Sequence, residues 1–374
     1  MSYALATLWH ERQRFLPGVL AVAFSALLIA LQAGLMLGLF SITSIPIDHT
    51  RAHIWMGAPG VVSVDLGQTI RESFVARLAA QPEVVQAEPY LQGFSYWARP
   101  NDGGRELCMV IGSCLDEDAL GAVAELTPAI RAKLTEPGAI AIDESDLERL
   151  GIDGVGATAE ISNVRVRVVA LTRGLKSLAG PYVFCSLTTA RQLLLRFSPN
   201  QVTYVLAKCK NPVDAPRVVA RLNETYKDVS AFTSWDFSKR SRLHWLFKTK
   251  AGVALGYAAI LGLLVGAVVT SQTLYAANVA SLREYAVLRA LGIPRWRIAG
   301  MVLAQSFWVG LFGVALGFAG VWGAAGLAER FGANISLPLL LQVGTAMITM
   351  AVALLAGLTA LRSLRLIEPA MLLR

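Results

Sequence analysis

Charge is what this sequence has least of. Only 16% of its 374 residues are Asp, Glu, Lys or Arg, against roughly 25% in soluble domains. The shortage is also concentrated. No charged residue occurs between Arg14 and Asp48, Lys250 and Arg283, Arg297 and Glu329, or Arg330 and Arg362. These runs of 33, 32, 31 and 31 residues hold 127 positions, and all 60 charges fall in the other 247. Such a pattern excludes an ordinary soluble enzyme and a disordered chain. Each run can cross a bilayer, which takes about 20 mostly apolar residues.

The chemical signatures of common enzymes are missing too. There is no G-x-x-x-x-G-K-[ST] phosphate loop, so ATP hydrolysis is not expected of this chain. His10-Glu11 lacks the second His of a zinc-protease helix, and no G-x-S-x-G elbow occurs. The runs carry no ionisable relay of the kind that proton- or ion-coupled carriers place inside the membrane. Cysteine is scarce, at four residues: Cys108, Cys114, Cys185 and Cys209. None has CxxC or zinc-type spacing, so neither a metal nor a bound cofactor is expected. Their pairing cannot be deduced from spacing; Cys108 and Cys185, in apolar strands, read as buried free thiols. Asp116-Glu117-Asp118 and Asp143-Glu144-Ser145-Asp146 lack a calcium loop's ligand spacing and read as solvated turns or helix caps. Asn223-Glu-Thr and Asn334-Ile-Ser match glycosylation sequons, which matter only in a eukaryotic secretory pathway.

What is present is a membrane layout. Spans are expected near 17–40, 251–275, 301–325 and 338–361. The first is too long for a signal-peptide core and lacks a cleavage site at its end, so it reads as a retained anchor. Residues 1–16, the 276–300 loop and the 362–374 tail then share one side. Arg12, Arg14, Arg283, Arg289, Arg295, Arg297, Arg362, Arg365 and Arg374 lie there against Glu11, Glu284 and Glu368, whereas the 326–337 connection carries only Glu329 and Arg330. By the positive-inside rule both termini are cytoplasmic. The net charge of +8 is thus mainly topology-setting Arg, not a nucleic-acid surface. Lys239, Arg240, Arg242, Lys248 and Lys250 cluster on the opposite side, but long domains translocate largely regardless of charge.

Residues 48–250 form the one large water-soluble part, and their pattern reads α+β. Strands are expected at 84–87, 107–112, 139–143, 164–169 and 202–207, and helices at 73–80, 147–150, 188–195 and 213–225. Before the second span, Arg242, Trp245, Phe247 and Lys248 suggest an amphipathic collar at the outer headgroups, or else an ordinary solvated helix. Gly252, Gly256, Gly262 and Gly266 permit close helix approach, either within the chain or against a second copy.

Arg283-Glu-Tyr-Ala-Val-Leu-Arg-Ala-Leu-Gly292 is the most informative segment. Val287, Leu288 and Leu291 share one helical face, Gly292 closes the helix and Pro294 prevents its continuation. The bland reading is an interfacial helix that anchors the loop; the sharper one is a peg for a cytoplasmic motor. The pattern Arg-Glu-x-x-x-Leu-Arg-Ala-Leu-Gly between a second and third span resembles the loop of the MacB/FtsX-type ABC permease family. The one-span, domain, three-span order is similar over the whole chain. Ile367-Glu-Pro-Ala370 resembles the family's Pro-Ala ending, and Glu284-Tyr285-Ala286, Trp9 and Gln32-Ala-Gly34 resemble the DevC-like exporter permeases within it.

This resemblance implies a permease subunit in the bacterial inner membrane that works as a homodimer. A separate ATPase subunit spends the ATP, and a periplasmic adaptor often joins. On it, Arg283, Glu284, Tyr285, Leu288, Arg289, Leu291 and Gly292 form the ATPase coupling helix, and the motion expels a lipidic or hydrophobic substrate. An FtsX-like regulator of a cell-wall hydrolase and a lipoprotein-release permease share the layout and stay open, although the roughly 200-residue domain favours an exporter over the regulator.

Overall fold

The computed structural model of the chain describes residues 12–177, 180–280, 287, 291–330 and 335–365. It divides into two units. Residues 1–38 and 250–374 form one, and 39–249 the other.

The first unit is built on four helices long and apolar enough to cross a membrane: Arg12–Ile42, Lys250–Ala280, Arg295–Arg330 and Leu339–Arg365. All four outrun the expected spans. The second continues past 275, and the third covers 295–300 and 326–330, which sequence placed in loops. Hydropathy marks only the lipid-bathed stretch, whereas backbone hydrogen bonding continues through flanking polar residues until something breaks it. At the start of the third helix the break is local: Gly292 sits at φ +86°, and the amides of Arg297 and Ile298 bond to Pro294 O.

Small residues decide how these helices approach. A side chain on Gly313 would run into Val22, and one on Gly317 into Ala23 and Ala26, all on the first span. Gly310 faces Met350 and Ala353 of the fourth, and Gly357 faces Ser306 of the third. Lipid tails are as apolar as Leu, so helix association here depends on this close packing and on hydrogen bonds.

The second unit is α+β. It comprises α1 (Ile45–Asp48), β1 (Ile54–Gly57), β2 (Ile70–Arg71), α2 (Val75–Ala79), β3 (Val84–Ala98), β4 (Arg105–Ser113), α3 (Pro128–Leu134), β5 (Ala139–Asp143) and α4 (Leu147–Leu150). Then follow β6 (Thr158–Ile161), β7 (Val164–Thr172), β8 (Tyr182–Ser186), α5 (Leu187–Leu193), β9 (Gln201–Val202), β10 (Tyr204–Cys209), α6 (Ala215–Thr225), β11 (Ser230–Thr233) and α7 (Ser234–Lys248).

β11, β1, β10 and β3 pair antiparallel in that order. With α2 after β1 and α6 before β11, they make a split β-α-β-β-α-β unit. Ile54, Met56, Val205 and Ala207 point to Leu78 of α2 and to Val218 and Leu222 of α6. The alternate residues Trp55, Tyr204 and Leu206 point the other way, to Phe237 of α7, as the two-residue period of a strand requires.

The segment between β3 and β10 is an insertion into that unit, and β3 joins the two parts. Its first half pairs with β10 and its second half, from Leu91, with β4. At its far end Trp97 and Ala98 also pair with β6, so β3, β4, β8, β5, β7 and β6 close into a ring. Trp97 is wholly buried at the closure, with Nε1 donating to Leu150 O at 3.1 Å. The Val-Arg alternation of β7 puts Val166 and Val168 inside and Arg165 and Arg167 in solvent. Gly151 ends α4 at φ +67°, a conformation that costs glycine nothing.

Candidate functional site

Of the expected coupling helix, Arg283, Glu284, Tyr285, Leu288 and Arg289 lie outside the described residues. Val287, Leu291 and Gly292 lie within them. Leu291 N bonds to Val287 O at 3.0 Å, a helical turn. Leu291 is 74% exposed, an apolar side chain left open at a helix end. Trp296 is also exposed, with the Arg297 guanidinium 5.3 Å from its ring centre.

The four glycines of the second span play different parts. Cβ atoms on Gly262 and Gly266 would collide with Gln32 and Ser25 of the first span. There Ser25 Oγ bonds to Gly266 O and to Thr270 Oγ1, both at 2.8 Å. This pair therefore packs within the chain. Gly252 is buried, whereas a Cβ added at Gly256 would meet open space. Near Gly256 the side chains of Tyr257, Leu261, Leu264 and Val268 are exposed, at a spacing that keeps them on one helix face.

The expected collar residues separate as well. Phe247 and Lys248 are exposed. Arg242 and Trp245 are engaged within the domain. Arg242 Nε donates to Ser44 Oγ at 2.7 Å and its Nη2 to Asp48 Oδ2 at 2.5 Å. Ser44 Oγ in turn donates to Asp48 at 2.6 Å. This latch ties α7 to α1. α1 begins three residues after the first span helix ends, and only Thr249 separates α7 from the second. The two points where the chain passes between the units are thus joined by one guanidinium. Nothing in the local sequence around Arg242 reveals it, because its partners are nearly 200 positions away.

Trp245 belongs to a second arrangement that sequence reasoning missed. Residues 61–66 are tied to α7 by three hydrogen bonds and to β10 through Tyr204. Arg240 Nε donates to Val61 O at 2.9 Å, Trp245 Nε1 to Ser63 Oγ at 3.2 Å, and Val64 N to Ser241 Oγ at 3.0 Å. Tyr204 OH donates to Val64 O at 2.8 Å. Asp65 sits in this segment, 8% exposed, and its Oδ1 has no partner. Burial pushes its carboxyl up to about 7, and the Trp245 indole draws it only partway back. Its charge in turn raises the buried Tyr90, Tyr182 and Tyr204 hydroxyls beyond what their own burial does. Tyr90 OH and Trp55 Nε1 are also buried without partners, and the two rings stand edge to face at 5.1 Å. A lone Asp in Val-Asp-Leu looks like a turn residue, and only the fold shows that it is buried and acts on Tyr90, Tyr182 and Tyr204.

The acidic clusters are structural. Asp143 Oδ1 caps Ser145 N, and its Oδ2 accepts from Leu175 N at 2.9 Å. The carbonyls of Asp116 and Glu117 accept from buried Arg131. Among the described residues no group of three or more His, Cys, Asp or Glu side chains could hold a metal. The four cysteines are unpaired. Burial holds the Cys108 and Cys114 thiols up at about 12, so they are poor nucleophiles.

Two family models match the chain. The MacB-like periplasmic core domain covers residues 19–225 and the FtsX-like permease C-terminal covers 256–369. Among solved structures, the domain is similar to the periplasmic region of MacB from Actinobacillus actinomycetemcomitans, at 12% identity over 52% of this chain and 94% of that one, with a TM-score of 0.35. It is also similar to the extracellular domain of the noncanonic ABC-type transporter YknZ from Gram-positive bacteria, at 11% identity over 48% and 99%, with a TM-score of 0.33. No curated protein matches. The assignment rests on the family models, which together take in most of the sequence and leave residues 226–255 between them. The chain belongs to the MacB/FtsX family of ABC transporter permeases.

Proposed function

We propose that the chain is the membrane subunit of an ABC-type exporter, of the DevC-like kind, in a bacterial inner membrane. The domain faces the periplasm and both termini face the cytoplasm. A separate ATPase pushes on the 283–292 segment through exposed Leu291 and the polar residues near it in sequence. The motion passes to the domain, which expels a lipidic or hydrophobic substrate, with a periplasmic adaptor above. The chain itself binds no ATP.

The Arg242–Ser44–Asp48 latch carries this reading. A permease that transmits movement needs its two chain crossings to act on the domain together, and one side chain ties them. An exposed ion pair adds little to stability, about 0–1 kcal/mol, so its value lies in where it acts. A second copy supplies the other half of the machine, packing on the open face of Tyr257, Leu261, Leu264 and Val268.

The test uses the tagged full chain purified with its ATPase and reconstituted in liposomes. Leu291→Asp should abolish co-purification of the ATPase while leaving the chain in the membrane. Arg242→Ala should keep the complex and lower substrate-stimulated ATP turnover several-fold. Intact binding by Leu291→Asp would remove the coupling role. Co-purification of a cell-wall hydrolase in place of an adaptor would favour a regulator over an exporter.

A further inference from the structure

The outward face of α7 is apolar where a solvated helix is polar. Trp235, Leu243 and Phe247 are 74%, 41% and 66% exposed. With exposed Lys239 they stand at steps of four, so they form one stripe along about 18 Å of helix. Phe237, Ser238 and Ser241, on the other side of the helix, are buried. Phe237 packs there against Trp55, Tyr204 and Phe232. Single exposed apolar residues are ordinary, but three large ones in one stripe mark a contact surface.

The charges on α7 have one free sign. Asp236 is its one acid, and the carboxylate accepts from Thr233 Oγ1 at 2.7 Å in the cap of the helix. Arg240 is held by Val61 O and lies over the Phe232 ring. Arg242 is held in the latch. Lys239 and Lys248 are exposed, and neither pairs with an acidic side chain among the described residues.

The chain itself brings this helix to the bilayer. Only Thr249 separates α7 from the second span helix, and the apolar window of that span opens at Gly252, five residues after Phe247. Thr249 is extended, with ψ 148°, so α7 need not continue along the axis of the span. Helices that carry aromatic and aliphatic residues beside lysines lie in the headgroup layer.

A second copy is the poorer partner for the stripe. A two-fold interface sets the same patch against itself. Lys239 and Lys248 would then meet basic residues of the same helix, with no free acid on α7 to offset them. An anionic lipid surface meets the same charges favourably, each adding about fivefold to the bound population.

We propose that α7 rests on the outer leaflet, with Trp235, Leu243 and Phe247 seated below the headgroups and Lys239 and Lys248 on anionic lipid headgroups. Arg242 and Trp245, turned into the domain, take no part in the contact. The footing of the domain then responds to the anionic lipid content of that leaflet. The proposal needs the spans in a membrane and does not depend on the exporter role.

The experiment places a nitroxide on single cysteines at Trp235, Leu243 or Phe247 of the full chain, with Arg217 of α6, exposed in solvent, as the reference. Cys114→Ser removes the one native thiol that is not fully buried. The chain is reconstituted in nanodiscs of phosphatidylcholine, alone or mixed with phosphatidylglycerol. Collision with oxygen and with a water-soluble nickel chelate reads the depth of each label. With phosphatidylglycerol present, the three stripe labels should favour oxygen and exclude nickel, and the Arg217 label should do the reverse. Lys239→Glu with Lys248→Glu, both on the surface, should return the stripe labels to water.

Nickel access at Trp235 and Leu243 equal to that at Arg217 would overturn the proposal. Strong dipolar broadening between the labels of two copies would overturn it too, by showing that a second chain covers the stripe. Equal depth in both lipid mixtures, unchanged by the two Glu substitutions, would remove the anionic headgroup as the partner. ATPase binding is read separately and decides the exporter reading whatever the labels report.

Discussion

Asp65→Asn should change how the stability of the domain depends on pH. The Asp65 carboxyl is raised from 3.8 to about 7 in the folded chain, chiefly by burial. An acid raised on folding is favoured in its neutral form. Between about pH 4 and pH 7 the folded chain holds a proton that the unfolded chain has released, so stability falls as pH rises through that window. Below it both states are protonated, and above it both are charged and the whole penalty is present. A shift of about three units at 1.36 kcal/mol each corresponds to about 4 kcal/mol at pH 8. Asn keeps the shape and cannot ionise. The variant should therefore match the wild type near pH 4 and exceed it by up to about 4 kcal/mol at pH 8. Other raised carboxyls titrate nearby, Asp146 at about 6 among them, so the difference between the two proteins is the quantity to read. Urea unfolding of the full chain in detergent, followed by tryptophan fluorescence at pH 4 to 8, measures it. Hydrogen exchange at residues 61–66 and in α7 shows whether the gain is local. Parallel pH curves for the two proteins would refute a buried, titrating Asp65.

The remaining expectations concern packing, association and access. Trp97→Ala should cost about 3–5 kcal/mol, because it empties the ring closure and leaves Leu150 O without its donor; a loss under 1 kcal/mol in the same unfolding assay would contradict that. Gly266→Ile should destabilise the detergent-solubilised chain, because a Cβ there meets Ser25 at 3.0 Å. Gly256→Ile should leave each chain folded and weaken only the association of two copies, read by native mass spectrometry; equal effects at both glycines would argue against the split. Cys108 and Cys185 should resist maleimide until denaturant is added, since both are buried with raised thiol pKa values. Rapid labelling of the native chain would show that the strands around them open. Cysteines placed in the 48–250 region should react with an impermeant thiol reagent in intact cells, and those near 290 should not; the reverse pattern would invert the topology.

The membrane layout was legible in the sequence because lipid imposes a local rule. Over 30 consecutive residues without charge need no tertiary partner to declare themselves. The same holds for elements whose signal is short-range: β5 as Ala-Ile-Ala-Ile-Asp, the Val-Arg alternation of β7, and α4 stopped at Gly151. The expected coupling motif is also local, a helix face and its glycine stop within ten residues, although most of it lies outside the described residues. Helix ends were less legible, because polar residues at the bilayer surface leave the hydrophobic stretch without leaving the helix.

What only the tertiary structure decided depends on partners distant in sequence. β3 reads as a short strand at 84–87, yet it runs to Ala98 because β10, β4 and β6 pair with successive parts of it. No pattern within β3 reports those partners. Arg242 looks like a membrane collar and turns out to be a latch, because Ser44 and Asp48 arrive from the far end of the domain. Gly262 and Gly266 are separated from Gly256 by the position of the first span, which the second span's own sequence does not encode. Asp65 is an ordinary acid in its local sequence; its raised proton affinity follows from burial, which only the fold imposes. Sequence by itself determined which segments enter lipid and which prefer strand or helix, since those depend on neighbours along the chain. Folding determined which side chains are joined, which are buried and which are left open, since those depend on neighbours in space.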